Sequence, residues 1–141
     1  MQKRPFAMSA LLIAATVTAG LTIRLVPMGL PDTLVKYGGS LLWAIMIYWI
    51  VSATRPRWMP ARAAFVSSVI ALCVELFKLY HTPFLDAFRL TLPGKLLLGR
   101  VFSLWALLAY IVAIILGAFI DLAIRSRMSR RGSQRGARAM L

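Results

Sequence analysis

The sequence predicts an all-α fold, a polytopic membrane helical bundle with four transmembrane helices and one further interfacial or re-entrant helix. The 141 residues are 60% hydrophobic and only 15% charged, their mean hydropathy is +0.78, and long blocks carry no charge. A soluble domain averages about 45–50% apolar and about 25% charged residues. The composition therefore excludes a soluble enzyme, a disordered chain and, with a single cysteine, a disulfide scaffold.

Four apolar blocks have the length of about 17–25 residues that a helix needs to cross a bilayer. The predicted spans are residues 5–23, 37–54, 63–80 and 101–124. The third is the least clean, because it is apolar only up to Val74 and then carries Glu75 and Lys78. Leaving it out gives three spans and an unexplained hydrophobic stretch, so we predict four.

The distribution of Lys and Arg predicts the orientation, because short cytoplasmic segments collect basic residues. With both termini inside, eleven basic residues are cytoplasmic and five are external, Lys78 being counted with neither group. The cytoplasmic group is Lys3, Arg4, Arg55, Arg57, Arg62, Arg125, Arg127, Arg130, Arg131, Arg135 and Arg138, and the external group is Arg24, Lys36, Arg89, Lys95 and Arg100. This bias requires an even number of spans, in agreement with the count of four.

The segment 82–95 is predicted to lie in the outer interface or to re-enter the membrane. Thr82 followed by Pro83 is typical of a helix start, and Pro93-Gly94 is expected to end the helix. Apolar residues recur between them at a spacing of three to four, but the piece is too short and too charged to span.

Two domain regions follow from these patterns. Residues 1–124 form a single transmembrane bundle domain, and residues 125–141 form an arginine-rich cytoplasmic tail without aromatic residues. We expect this tail to be disordered and attracted to anionic head groups of membrane lipids. Its composition favours no specific nucleic acid.

A row of small residues in the fourth span, Ala109, Ala113 and Gly117, allows another helix to approach closely. Asp121 and Arg125 continue the row and can form an ion pair one turn apart. The row favours packing within the bundle, with a homo-oligomer seam as the alternative.

Glu75 is the candidate functional carboxylate, because an ionisable group inside a membrane needs a partner and often marks a site. Lys78, one turn away, is the predicted partner. The alternative is an ion pair that only holds helix ends together. Basic residues crowd the same external end, and such groups suit a phosphate or another anionic head group. The alternative for them is that they reach the interface and bind nothing specific. The ligand-binding hypothesis names Arg24, Lys36, Glu75, Lys78 and Arg89.

Other chemistry has no signal in the sequence. One histidine and one cysteine cannot build a closed zinc site, and neither a P-loop nor a dinucleotide-binding glycine motif is present. We therefore expect no catalytic residue, no metal and no cofactor, and the protein is not predicted to be an enzyme.

Several segments resemble the domain of unknown function 2809 family of small bacterial integral membrane proteins. They are residues 20–24, 36–44, 74–80, 85–89, Pro83, Gly94, Leu98, Gly99, Phe102, Ala109 and Tyr110. The resemblance implies a multi-pass protein of the bacterial inner membrane and no established activity. It also implies acidic residues where this chain has Ser40 and Ala106, and a glutamine where it has Lys78.

Two functions are open on these grounds. The first is binding or movement of an anionic lipid-like ligand, such as an isoprenoid phosphate, at the external basic cluster. The second is that of an accessory or assembly subunit that packs against a larger membrane protein complex.

Overall fold

The computed structural model describes residues 5–99 and 101–139, and every regular element in these ranges is a helix. The helices are α1 (Phe6–Leu25), α2 (Asp32–Thr54), α3 (Pro60–Phe77), α4 (Pro83–Leu90), α5 (Leu92–Leu97) and α6 (Leu104–Ala139). Four of them, α1, α2, α3 and α6, are long and apolar enough to cross a membrane. The all-α bundle with four spans is confirmed.

Prolines set where most helices begin. Pro5 and Pro31 immediately precede α1 and α2, while Pro60 and Pro83 are the first residues of α3 and α4. A proline suits a helix start because its φ is already helical and its missing N–H would have no partner there. The second and third helices therefore begin a few residues before the apolar blocks that predicted them.

The segment after α3 forms two short helices rather than one. Thr82 accepts a hydrogen bond from the Leu85 N–H (3.3 Å), and Thr91 accepts one from the Gly94 N–H (3.2 Å). Both threonines thus act as N-caps. The expectation that Pro93-Gly94 ends a helix is wrong, because Thr91 caps a new helix whose first turn contains both residues.

Helix α6 extends well beyond the fourth apolar block. Ser103 caps its start, since its hydroxyl accepts a hydrogen bond from the Ala106 N–H (3.4 Å). The backbone then stays helical to Ala139, which differs from the disordered tail predicted for residues 125–141. The chain after Pro93 contains no proline, and arginine and alanine favour helices, so no residue breaks the hydrogen-bond ladder.

Helix α2 is the centre of the bundle. It packs against α1, α3 and α6, and α3 also packs against α6, whereas the backbone of α1 lies beside α2 alone. Small residues let the backbones approach: Ala113 is fully buried, and a Cβ added to Gly117 would lie 3.2 Å from the Tyr48 ring. This small-residue row therefore packs inside the bundle, as the first of its two interpretations expects.

Candidate functional site

Two buried acidic residues mark the two ends of the bundle. We call the end that holds Glu75, near the last turn of α3, the Glu75 end, and the end that holds Asp121, in α6, the Asp121 end. Tyr110 of α6 contacts Glu75, and Asp121 follows it eleven residues later in the same helix. At a rise of about 1.5 Å per residue, the two ends are therefore about 16 Å apart along α6.

The Glu75 carboxylate is completely buried and has three donors. It accepts hydrogen bonds from Lys78 Nζ (2.5 Å), the Tyr110 hydroxyl (3.0 Å) and the Ser103 N–H (2.8 Å). The donors come from the C-terminus of α3, from α6 and from the residue that caps α6. The predicted Glu75–Lys78 pair is present, and the buried carboxylate is compensated within the bundle.

A cavity of about 270 Å³, which we call the basic cavity, opens beside this cluster. Four basic side chains line it, and its described lining residues include no acidic one. They are Arg24 of α1, Lys36 of α2, Lys78 at the C-terminal cap of α3, and Lys95 of α5. Three of the four lysines in the whole sequence are therefore at this one place.

Two glycines make room for the basic side chains. Gly99 has φ +66°, a conformation that glycine adopts without strain, and a Cβ added there would lie 3.1 Å from Cε of Lys78. Gly39 is buried in α2, and a Cβ added to it would collide with the Arg24 guanidinium. Arg24 thus crosses α2 over Gly39 and approaches the carbonyl oxygens of Lys95 and Leu96 at 3.5 Å.

Arg89 does not line the basic cavity. It is 2% exposed, and its guanidinium donates hydrogen bonds to the carbonyl oxygens of Phe77 (2.7 Å) and Tyr80 (2.9 Å). The Phe77 carbonyl at the end of α3 also accepts a backbone hydrogen bond from the Tyr80 N–H (3.1 Å), and a cation suits the C-terminus of a helix. The prediction that Arg89 joins the other site residues is wrong, because α4 turns it beneath the end of α3.

A small polar network accompanies Arg89 outside the spans. Asp86 accepts a hydrogen bond from Arg89 (3.1 Å) and lies 3.1 Å from Nδ1 of His81. The hydrogen bond with His81 and, to a smaller extent, the one with Arg89 hold the pKa of the exposed Asp86 carboxyl below its usual value. The last residue of the predicted external cluster, Arg100, lies outside the described residues.

The Asp121 end has a different buried network. The Asp121 carboxylate, fully buried, accepts hydrogen bonds from the Tyr48 hydroxyl (2.9 Å), the Ser52 hydroxyl (3.1 Å) and Nε of Arg125 (3.0 Å). The predicted Asp121–Arg125 pair is therefore present. Arg125 also donates to the carbonyl oxygens of Pro56 (3.1 Å) and Trp58 (3.2 Å), which ties the loop between α2 and α3 to α6.

Three residues at the Glu75 end were not among the predicted site residues: Lys95, predicted only as one of the external basic residues, and Tyr110 and Ser103, which donate hydrogen bonds to Glu75. Tyr110 had a usable signal. It lies four residues after Ala106 and three before Ala113, so it shares their buried helical face, and a buried tyrosine hydroxyl needs a polar partner. Lys95 was predicted at the same end, but nothing in the sequence showed that α5 brings it to the cavity, and Ser103, the residue that caps α6, had no signal.

The differences that the family resemblance implies also meet at this cavity. Ser40, Lys78 and Ala106 all line it. The positions where acidic residues are expected from the resemblance are thus filled here by a hydroxyl and a methyl group, and the third position adds a positive charge.

The fold and these buried ion pairs define a multi-pass helical membrane protein. The chain matches the family model described as protein of unknown function DUF2809 over residues 29–114, and it belongs to that family. The match contains Glu75 and every basic residue of the cavity except Arg24, and it ends before Asp121. No solved structure matches the chain.

Proposed function

We propose that the protein binds an anionic, phosphate-bearing lipid head group in the basic cavity. The observation that supports this most is the convergence of four basic side chains from four parts of the chain on one cavity whose described walls hold no carboxylate. Several ammonium groups and one guanidinium offer the charge-assisted donors that phosphate oxygens accept.

The charge balance of the cavity favours an anion. Lys78 is compensated by Glu75, but Arg24, Lys36 and Lys95 form no ion pair with any residue that the structure describes. Three positive charges around one cavity repel one another, and their summed field attracts a negative ligand. A phosphate would replace this repulsion by attraction.

The position of the cavity favours a lipid over a soluble anion. Its walls include the last turn of α1, the N-terminal half of α2, the first two turns of α6 and the C-terminal cap of α3. The ends of spans lie at the depth of lipid head groups, where basic side chains recognise anionic lipids. The exposed apolar faces of the spans suit lipid and another polypeptide equally, so they do not favour the accessory-subunit alternative.

The test measures lipid that copurifies with the protein. We expect phosphatidic acid to be enriched over phosphatidylcholine when the full chain is extracted from membranes that contain both. Lys36→Gln with Lys95→Gln removes two cavity charges, each worth about 1 kcal/mol toward an anionic lipid, so affinity should fall about 30-fold.

The matched control removes two charges elsewhere. Arg127→Gln with Arg130→Gln changes exposed residues of α6 past the Asp121 end and should lower the enrichment less, because it removes only the general attraction of exposed basic residues to anionic lipid. Equal lipid content in the two double variants would refute the proposed site, since it would show that net charge alone attracts the lipid.

A further inference from the structure

A second cavity adjoins the basic cavity. It has a volume of about 300 Å³, lies between α1 and α2, and has almost entirely apolar walls. We call it the apolar groove. Its main walls are Val17, Gly20 and Leu21 of α1 and Gly39, Leu42 and Met46 of α2.

The two cavities share four lining residues, Arg24, Trp43, Leu96 and Leu97. The basic cavity therefore borders directly on the apolar groove, with the Arg24 side chain at the boundary. We infer that the groove holds the hydrocarbon chain of the ligand whose phosphate occupies the basic cavity, an inference that rests on the proposed function.

Two glycines line the groove. Gly20 leaves the α1 wall without a side chain, and a Cβ added there would lie 3.7 Å from Cβ of Leu42, an ordinary contact distance, whereas the space over Gly39 holds the Arg24 guanidinium. A chain in the groove would thus touch the backbone of α1 closely at Gly20, as residues do in small-residue helix interfaces.

The location of α1 allows the ligand to enter from the side. The backbone of α1 packs only against α2, so the helix is at the edge of the bundle, and of its residues only Ser9 and Thr16 are buried. A lipid chain can then move from the bilayer into the groove without crossing water. The chemical class of ligand that fits both cavities is a phosphate monoester or diphosphate with a long hydrocarbon chain.

Charge and shape make separate contributions to this binding. The hydrocarbon chain of the ligand moves from the apolar bilayer into an apolar groove. The groove therefore stabilises it by close van der Waals packing and not by removing it from water. The basic cavity sets the preference for the anion. Filling the groove should therefore weaken binding of a chain-bearing phosphate and leave binding of a chainless phosphate unchanged.

The experiment compares dodecyl phosphate with glycerol 3-phosphate, two phosphate monoesters that differ in the chain. Each is titrated into the full protein in phosphatidylcholine nanodiscs. Leu21→Trp fills the groove, and Leu11→Trp is the matched control, the same change on the same helix at a residue that is 70% exposed and outside the groove. We expect dodecyl phosphate to bind Leu21→Trp at least about 10-fold more weakly than Leu11→Trp.

Glycerol 3-phosphate should bind all three proteins equally, which also shows that Leu21→Trp is folded. The inference is overturned if Leu21→Trp and Leu11→Trp bind dodecyl phosphate alike, or if Leu21→Trp weakens both ligands equally. Either result leaves the proposed anion site standing. If neither phosphate binds the unaltered protein, the proposed function fails and the inference fails with it.

Discussion

Glu75 and Asp121 occupy equivalent positions at opposite ends of the bundle, yet their surroundings differ. Each carboxylate is fully buried and pairs with a basic residue one turn later on the chain. Each also accepts a hydrogen bond from a tyrosine hydroxyl on a neighbouring helix. The ion pairs are alike, but the cations have different second contacts.

Arg125 uses its remaining donors on protein groups. Its three guanidinium nitrogens reach Asp121, the Ser52 hydroxyl and the carbonyl oxygens of Pro56 and Trp58. Lys78, in contrast, lines a cavity with other cations. A satisfied cation fastens helices together, whereas a cation that faces a cavity can exchange part of its contact for a ligand. The comparison therefore separates a structural ion pair from a candidate site.

Breaking the Asp121 pair should have the largest effect on stability. Asp121→Ala leaves Arg125 buried without its carboxylate, and removing one partner of a buried pair costs about 3–5 kcal/mol. Denaturant or SDS titration of the protein in micelles measures this free energy of unfolding. A loss below about 1 kcal/mol would contradict the conclusion that the Asp121–Arg125 pair fastens α6 to the rest of the bundle.

The equivalent change at the other end should cost less. Glu75→Ala leaves Lys78 without its carboxylate, but the ammonium group can turn to the basic cavity and be solvated there. We expect a loss of about 1–3 kcal/mol, the range for one unsatisfied buried group. Added phosphatidic acid should restore part of it, whereas Asp121→Ala should gain nothing from the lipid. Equal losses without lipid rescue would remove the distinction between the two ends.

A change at Gly39 tests how Arg24 reaches the cavity. Gly39→Ala places a methyl group where the guanidinium crosses α2, so affinity for a phosphate lipid should fall about 10-fold, as for one lost charge-assisted hydrogen bond. Gly38→Ala is the matched control, because its added Cβ would lie 3.9 Å from Ile23, an ordinary contact. The same lipid binding assay compares both, and equal affinities would show that Arg24 does not contribute.

The smallest effect is expected at the exposed Asp86. Its lowered pKa means that it stabilises the fold at a pH above the ordinary aspartate value, and that this contribution is lost as the pH falls through the lower, folded value. In the unaltered protein, the free energy of unfolding should therefore fall by a small amount as the pH drops below the ordinary aspartate pKa. This small fall should be absent in Asp86→Asn. An unchanged profile would show that the His81 and Arg89 contacts with Asp86 are not maintained.

The sequence predicts the spans and both ion pairs because these depend on local information. Apolar blocks report spans, and the spacings of Glu75 to Lys78 and of Asp121 to Arg125 place each pair on one helix face. The position of a residue within or beside a predicted span also shows at which end of the bundle it lies. It gives the depth of the residue in the membrane, but not which neighbouring helices its side chain faces.

For that reason, the sequence could not show which basic residues line the cavity and which lie elsewhere at the same end. Arg89 and Lys95 are both near one end, but α4 turns Arg89 under the end of α3 while α5 brings Lys95 to the cavity. This depends on the break at Thr91, which two short helices share as cap. The helical extension of α6 was missed because composition alone does not distinguish a charged helix from a disordered tail.

The central claim, that phosphate occupies the basic cavity, is tested most directly by solid-state NMR distance measurement between lipid phosphorus and lysine nitrogen. Only four lysines need be labelled with ¹⁵N at Nζ, and Lys78, which is 8% exposed, is the informative one because surface lysines touch any bilayer phosphate. Loss of one signal in Lys78→Arg assigns it. The account predicts that phosphatidic acid dephases the Lys78 signal in phosphatidylcholine bilayers. Dephasing of the other lysines alone, with Lys78 unaffected, would contradict it.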